Sequence, residues 1–213
     1  MQGLSENAPP RLEVTPVPLV LASQSPARAD LLRSAGLRFS VAVPAIDEAV
    51  VKESLRREGA SAERAVEVLA ELKAIRVSLS RASAFVVGAD QILDHGGRWL
   101  DKPATVEEAG AHLRALRGRR HELVTAVCVA SQGQRLWHHV SRATLVMRRF
   151  SDGFLDHYLE AVGDEALTSL GAYKVEGIGA QLFARIDGDH FAILGLPLLP
   201  LLDFLRGHGM VME

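Results

Sequence analysis

The sequence predicts a mixed α/β fold, with one mixed sheet flanked by helices and divided into two lobes. Three observations lead there. Short apolar runs such as Leu19–Ala22 and Phe85–Gly88 have the length of buried strands. Segments with a helical repeat separate some of these runs, as parallel crossovers require. Tight turns alone separate others, as antiparallel hairpins require, so neither a purely parallel sheet nor an all-β sandwich fits.

The elements follow in order. Residues 1–16 are polar and carry Pro9, Pro10 and Pro16, which reads as a loose tail ahead of a single domain over 17–213. The strand Leu19–Ala22 stops at Ser23, and Pro26 suits the first turn of a helix that Ser25 can cap. Gly36 ends that helix. Phe39 to Val43 alternates toward a second strand, and Ile46-Asp47-Glu48 reads as a loop. A long helix is expected from Ser61 to Ser78, with Val66, Leu69, Leu72, Ile75 and Leu79 on its buried face. The strand Phe85–Gly88 runs into Ala89-Asp90-Gln91, and Arg98–Leu100 pairs back after the turn at residues 94–97.

Thr105 and Glu108 form a capping-box pattern for a helix that runs to Leu116 and stops at Gly118. Leu123–Ala130 and Arg135–Met147 read as strands around the turn at residues 131–134. Ser151 starts a helix through Val162, and a last helix begins near Pro197. Between them, Gln181–Ile186 and Phe191–Leu194 read as a hairpin turning at Asp187-Gly188.

Composition excludes more than it identifies. The chain has 213 residues, with 24 Lys+Arg against 26 Asp+Glu and a net charge of −2. That balance argues against a general nucleic-acid coat, which needs a strongly basic face. One cysteine, Cys128, leaves no disulfide framework and no cysteine-rich zinc site. No apolar run is long enough for a transmembrane helix, and the start has no basic segment followed by an apolar one. A soluble, cytoplasmic protein is expected.

Three junctions could carry chemistry. At Ser23-Gln24-Ser25-Pro26-Ala27-Arg28, a helix N-terminus would direct free N–H groups at an anion, with two hydroxyls and an arginine beside them. The plainer alternative is a capped helix with a surface arginine. At Gly88-Ala89-Asp90-Gln91, a carboxylate would end an apolar strand after a glycine that lets a ligand approach. Asp90 could bind a metal or take a proton from water, or simply satisfy a turn. At Lys102-Pro103, a lysine held before a helix could neutralise phosphate charge, or stay solvated. Asp47-Glu48 adds two oxygen donors suited to a hard cation, although such pairs are often surface decoration. The basic cluster Arg114, Arg117, Arg119, Arg120 and His121 complements a helix C-terminus, and a small RNA-contact patch is the weaker alternative. His138 and His139 would point to opposite faces of a strand and so not share a metal. There is no G-x-x-x-x-G-K-[ST] loop and no G-x-S-x-G elbow.

In order, these segments resemble the Maf family of nucleotide pyrophosphatases, once described as septum-formation inhibitors. Residues 21–28, Leu-Ala-Ser-Gln-Ser-Pro-Ala-Arg, look like its L-A-S-x-S-P-x-R opening. Gly88-Ala89-Asp90-Gln91 and Lys102-Pro103 match later motifs, as do residues 171–177 and Gly195-Leu196-Pro197. The resemblance implies a Maf/ITPase-like nucleotide cleft and hydrolysis of a nucleoside triphosphate to the monophosphate and pyrophosphate. It also implies assistance by a divalent cation, Mg²⁺ or Mn²⁺. Carried over, Asp90 is the proton acceptor, Ser23, Ser25 and Arg28 hold the phosphates, and Lys73 and Lys102 support them. Glu48, with Asp90, would hold the metal. Positions 27, 91 and 176 separate a dTTP/UTP branch from a 7-methyl-GTP branch; Gln91 and Glu176 match the second, whereas Ala27 departs from both. The resemblance also implies a homodimer. Against this enzyme stand a non-enzymatic nucleotide-binding regulator of cell division and a nucleic-acid module; the intact Asp90, Lys102 and Arg28 favour the enzyme, and the charge disfavours the module.

Overall fold

The computed structural model describes residues 17–212, so the tail expected at 1–16 lies outside the described residues. Seven strands form one sheet: β1 (Leu19–Ala22), β2 (Ser40–Val41), β3 (Phe85–His95), β4 (Arg98–Leu100), β5 (Arg120–Ser131), β6 (Gln134–Met147) and β7 (Phe183–Asp187). The helices are α1 (Pro26–Ser34), α2 (Glu48–Arg57), α3 (Ala62–Ser78), α4 (Val106–Leu116), α5 (Asp152–Val162), α6 (His190–Ile193) and α7 (Leu198–Gly207). The sheet order is β2-β1-β3-β5-β6-β7, with β4 paired to β3. β1 runs parallel to both neighbours, and the remaining pairs are antiparallel. The mixed sheet expected from the mixture of crossovers and hairpins is therefore present.

Two features of this topology position the site. The chain leaves β1 for β2 on one side and returns to β3 on the other, which makes the C-terminal end of β1 a switch point, the usual location of a ligand crevice in open α/β sheets. Along the same edge of β3, pairing with β1 ends at Gly88 and pairing with β4 begins at Leu93. Ala89–Ile92 therefore face a notch with no strand beside them on that edge among the described residues.

Alternation along β3 sorts the packing. Val87, Ala89 and Leu93 face one side of the sheet. There, one apolar cluster gathers around α1 and α7, and another around α4, α5 and the 166–182 segment. These are the two lobes. The other side carries α3, whose buried residues are mostly small: Ala62, Ala65, Ala70 and Ala74, with Val66 and Leu69. The expected face of α3 is thus corrected in part. Leu72 and Leu79 are exposed, because alanines let the helix settle closely on the sheet. A Cβ at Gly88 would lie 2.2 Å from the carbonyl oxygen of Ala70. The close approach that Gly88 permits is that of a helix, not of a ligand.

Other expectations are corrected locally. Asp47 and Glu48 do not lie in a loop, since Asp47 caps α2 by accepting from the N–H of Val50 and Glu48 opens that helix. Phe39 to Val43 supplies a strand of only two residues. β7 pairs with β6, and residues 190–193 form a helical turn capped by Asp189, so the hairpin expected over 181–194 does not exist. The expected starts of α3, α4 and α5 hold: Ser61, Thr105 and Ser151 each accept from the N–H three residues on. At the β5–β6 turn, Gln132 and Gly133 both have positive φ (53° and 77°), the twist a tight two-residue hairpin needs.

Candidate active site

The notch and the switch point open into one cleft of about 1150 Å³. Ser23, Ser25, Ala27, Arg28, Glu48, Lys73, Asp90, Gln91, Lys102 and Glu176 all line it. The residues to which the family resemblance gave roles are thus brought to this one place, from segments more than 150 positions apart.

Asp90 sits in the middle of the 11-residue β3, not at a strand end as expected. It is reachable because β3 has no strand partner along the notch. Its parity directs it toward α3, where Lys73 occupies the cleft-side turn of the helix. The Lys73 ammonium, 4% exposed, donates to Asp90 Oδ1 at 2.6 Å and lies 2.6 Å from Glu48 Oε2. An ammonium buried this deeply demands compensating charge, and two carboxylates supply it. The result is a Glu48–Lys73–Asp90 bridge that ties α2, α3 and β3 together at the mouth of the notch.

Arg28 forms the opposite wall. Half-buried, it donates from Nε to the carbonyl of Gly195 at 2.8 Å, and from Nη1 to Ala89 at 2.9 Å and to Ser23 Oγ at 3.1 Å. Ser23 Oγ also accepts from the N–H of Ser25. Burial pushes Arg28 below its ordinary pKa, with Asp90 and Glu48 acting against that shift. Ser25 occupies the N-cap position of α1, yet its side chain makes no capping bond. Its hydroxyl is thereby left for a ligand at the helix start, and the expected Ser25 cap is corrected. Lys102 completes the cationic side. Burial lowers the pKa of its ammonium from 10.5, and Arg28 and Lys73 push the same way against Glu48 and Asp90. Gathered cations of this kind favour an anion with several charges.

Gln91 points to the other face. Its amide nitrogen donates to Thr125 Oγ1, Ala192 O and Ile193 O at 2.9–3.0 Å. Thr125 spends its own proton on Ala192 O, so the amide orientation is fixed and the Gln91 carbonyl is left as an acceptor. Glu176 stands exposed on the far rim, with no partner among the described residues.

Sequence reasoning found Glu48 but missed the helix that carries it, and with it Lys52 and Arg56. Glu48, Lys52 and Arg56 recur every four residues and line the cleft together. Lys52 and Arg56 both reach the Asp101 carboxylate at 2.6 Å. Asp47 as an N-cap, followed by that spacing, is the signal that could have found them. The other candidates are engaged elsewhere. Arg117 pairs with Asp152, Arg120 with Glu122, and His121 is buried against Tyr173. His138 lies near Glu67 on the α3 side, whereas His139 stacks with Trp137 on the α7 side, as alternation requires.

No group of three or more His, Cys, Asp or Glu suited to a metal exists among the described residues. The donor set still fits a hard cation of the Mg²⁺ type, which takes one or two carboxylates and completes its shell with substrate phosphates and water. Glu48 and Asp90 converge on one ammonium and each keep a second oxygen. No helix among the described residues is long and apolar enough to cross a membrane.

The chain is 52% identical over 196 residues to a nucleoside triphosphate pyrophosphatase of Rhodospirillum rubrum, covering 92% of this chain and 97% of that protein. It is 50% identical over 190 residues to a 7-methyl-GTP pyrophosphatase of Brucella abortus, covering 89% and 96%. A 7-methyl-GTP pyrophosphatase of Rhizobium meliloti is 47% identical over 193 residues, covering 91% and 97%. Residues 18–208 match the Maf-like protein family, and the chain belongs to it.

Proposed function

We propose that this protein hydrolyses a nucleoside triphosphate to the monophosphate and pyrophosphate. The observation that carries the reading is the cleft itself, in which the Glu48–Lys73–Asp90 bridge shares one space with Arg28 and Lys102. Attack by water on a triphosphate needs a proton acceptor and neutralisation of the leaving charge. Asp90, held by Lys73, takes the proton from water. Arg28, Ser23 and Ser25 grip the phosphates at the start of α1, and Lys102 and Lys73 offset their charge. A divalent cation held by Glu48 and Asp90 would add Lewis-acid polarisation of a phosphoryl oxygen.

The preferred base is a methylated purine, 7-methyl-GTP before dTTP or UTP. Gln91 offers only its carbonyl and Glu176 only a carboxylate, so the base side presents acceptors. Guanine presents N–H donors, and a methylated, cationic ring gains further from the charge of Glu176. The names of the Brucella and Rhizobium relatives support the same choice. The protein works as a cytoplasmic homodimer with no nucleic-acid or membrane partner, clearing noncanonical nucleotides.

Pyrophosphate release, screened over canonical and modified triphosphates with Mg²⁺ or Mn²⁺, tests the reading. Asp90→Asn keeps the shape and removes the base, and its rate is expected to fall at least about 10²-fold. Undiminished turnover in that variant overturns the role of Asp90. Binding without turnover by the wild type would favour the regulator, and a higher kcat/KM on dTTP or UTP would overturn the substrate preference.

A further inference from the structure

The sheet ends in two edge strands that differ in kind. β2, at one end, has two residues, whereas β7, at the other, has five. β7 bonds β6 along one side, and no other backbone partner meets residues 184–187 among the described residues. Ala184, Arg185, Ile186 and Asp187 are all exposed, so the described residues leave the outer side uncovered. An open edge of this kind is commonly blunted by lysines, a proline or a bulge. β7 has no lysine or proline, and its one irregular pairing lies at the Phe183 end, opposite Val146 and Met147.

What β7 carries instead is a self-complementary pattern. Arg185 and Asp187 lie two residues apart on one face, where Arg185 Nε meets Asp187 Oδ2 at 2.7 Å. Ile186, 39% exposed, lies on the other face with its paired residue Leu145, which is fully buried. Ile186 thus stands at the open margin of the apolar cluster that contains Leu145. An antiparallel copy centred on Ile186 would set Arg185 against the partner's Asp187, Asp187 against the partner's Arg185, and the two isoleucines against each other. Moving the centre by one residue either way would oppose the two arginines or the two aspartates directly, which costs stability.

We propose that β7 is the interface of the homodimer, two copies pairing antiparallel about a two-fold axis at Ile186 so that one sheet runs through both. The proposal rests on the homodimer reading above and names its surface. A two-fold pairing uses the same strand of both copies and leaves no free β7, so assembly stops at two. The outer N–H and C=O groups of β7 gain backbone partners, the four charges alternate in sign, and the isoleucines extend the apolar cluster across the axis. Asp90 lies on β3, three strands from β7, so each copy keeps its own site.

Charge reversal, read by sedimentation equilibrium, tests the surface. Arg185→Asp and Asp187→Arg, each alone, set like charges opposite each other twice, and each should raise the dimer dissociation constant at least about 10-fold. Mixed in equal amounts, the two variants should form a heterodimer of near wild-type affinity, because a doubly acidic strand then meets a doubly basic one. That rescue also shows that both variants are folded. In the wild type, β7 amides should exchange faster on dilution, as the dimer comes apart. Wild-type affinity in both single variants, a mixture that stays monomeric, β7 exchange insensitive to dilution, or assembly beyond two copies overturns the interface. A wild type that is monomeric at every concentration would instead overturn the homodimer reading beneath it.

Discussion

Helices α2 and α3 are consecutive in the chain, line the same cleft and are built in opposite ways. α3 has nine buried residues over its 17 and lies flat on the sheet at Gly88. α2 has ten residues and none buried, although its sequence is strongly two-sided. Besides Leu55, partly buried against the α3 cluster, what holds α2 is charge: Lys52 and Arg56 on Asp101, Glu48 on Lys73, and the Arg56 guanidinium 5.5 Å from the Trp99 ring. The difference teaches a division of labour. Apolar packing sets the position of Lys73, while ion pairs set that of Glu48.

Three substitutions test that division, beginning with the largest effect. Lys73→Met would strip the buried Asp90 of its cation beside a half-exposed Glu48, and breaking a buried pair in this way costs about 3–5 kcal/mol. Denaturant unfolding should show the loss in the global transition. A midpoint close to wild type would mean that α3 is not anchored through this bridge. Asp47→Ala removes the N-cap of α2, worth about 1 kcal/mol. That loss should appear as faster amide exchange within α2 while the global midpoint hardly moves. A matching drop in global stability would place α2 in the cooperative core and erase the contrast.

The smallest effect concerns pH. Burial alone would raise the Asp101 carboxyl, but the bonds from Lys52 and Arg56 outweigh it and hold its pKa below 3.8. A depressed carboxylate stabilises above its unfolded value and loses that contribution as pH falls through the folded one. The α2 latch should therefore persist down to pH 3.8 and release below it. Trp99 fluorescence, read in a Trp137→Phe background, would follow the release. Asp101→Asn should give the released signal at neutral pH with a stability change under about 1 kcal/mol, as expected for half-exposed ion pairs.

What could be read from the sequence divides along similar lines. α3, α4 and α5 were legible because each couples a capping Ser or Thr to a helical repeat. Ser23, Ser25, Arg28, Asp90 and Lys102 in the cleft were legible because short motifs carry them. α2 was not, although its sequence is two-sided, because the Asp47-Glu48 pair that opens it looked like a ligand set when half of it was a cap. Asp90 was expected at a strand end because the apolar run Phe85–Gly88 stops before it, yet β5 pairs with Asp90 and Gln91 on one edge and the bridge to Lys73 compensates the charge. The 181–194 segment failed for another reason: Phe191 and Ile193 alternate as a strand would, while the Asp189 cap selects a helical turn.

The notch in β3 has a consequence for solubility as well as for chemistry. An unpaired strand edge is a template on which another chain can add itself, and proteins commonly blunt such edges with charge. Here the gap is four residues, about 13 Å at strand rise, shorter than a typical strand and bounded by β1 and β4. Within it, Arg28 already occupies the carbonyl of Ala89. The opening is thus wide enough to admit a polyanion and too short and too charged to nucleate a sheet between molecules. By bonding the carbonyl of Ala89, Arg28 removes one of the few backbone groups through which another chain could pair at the notch.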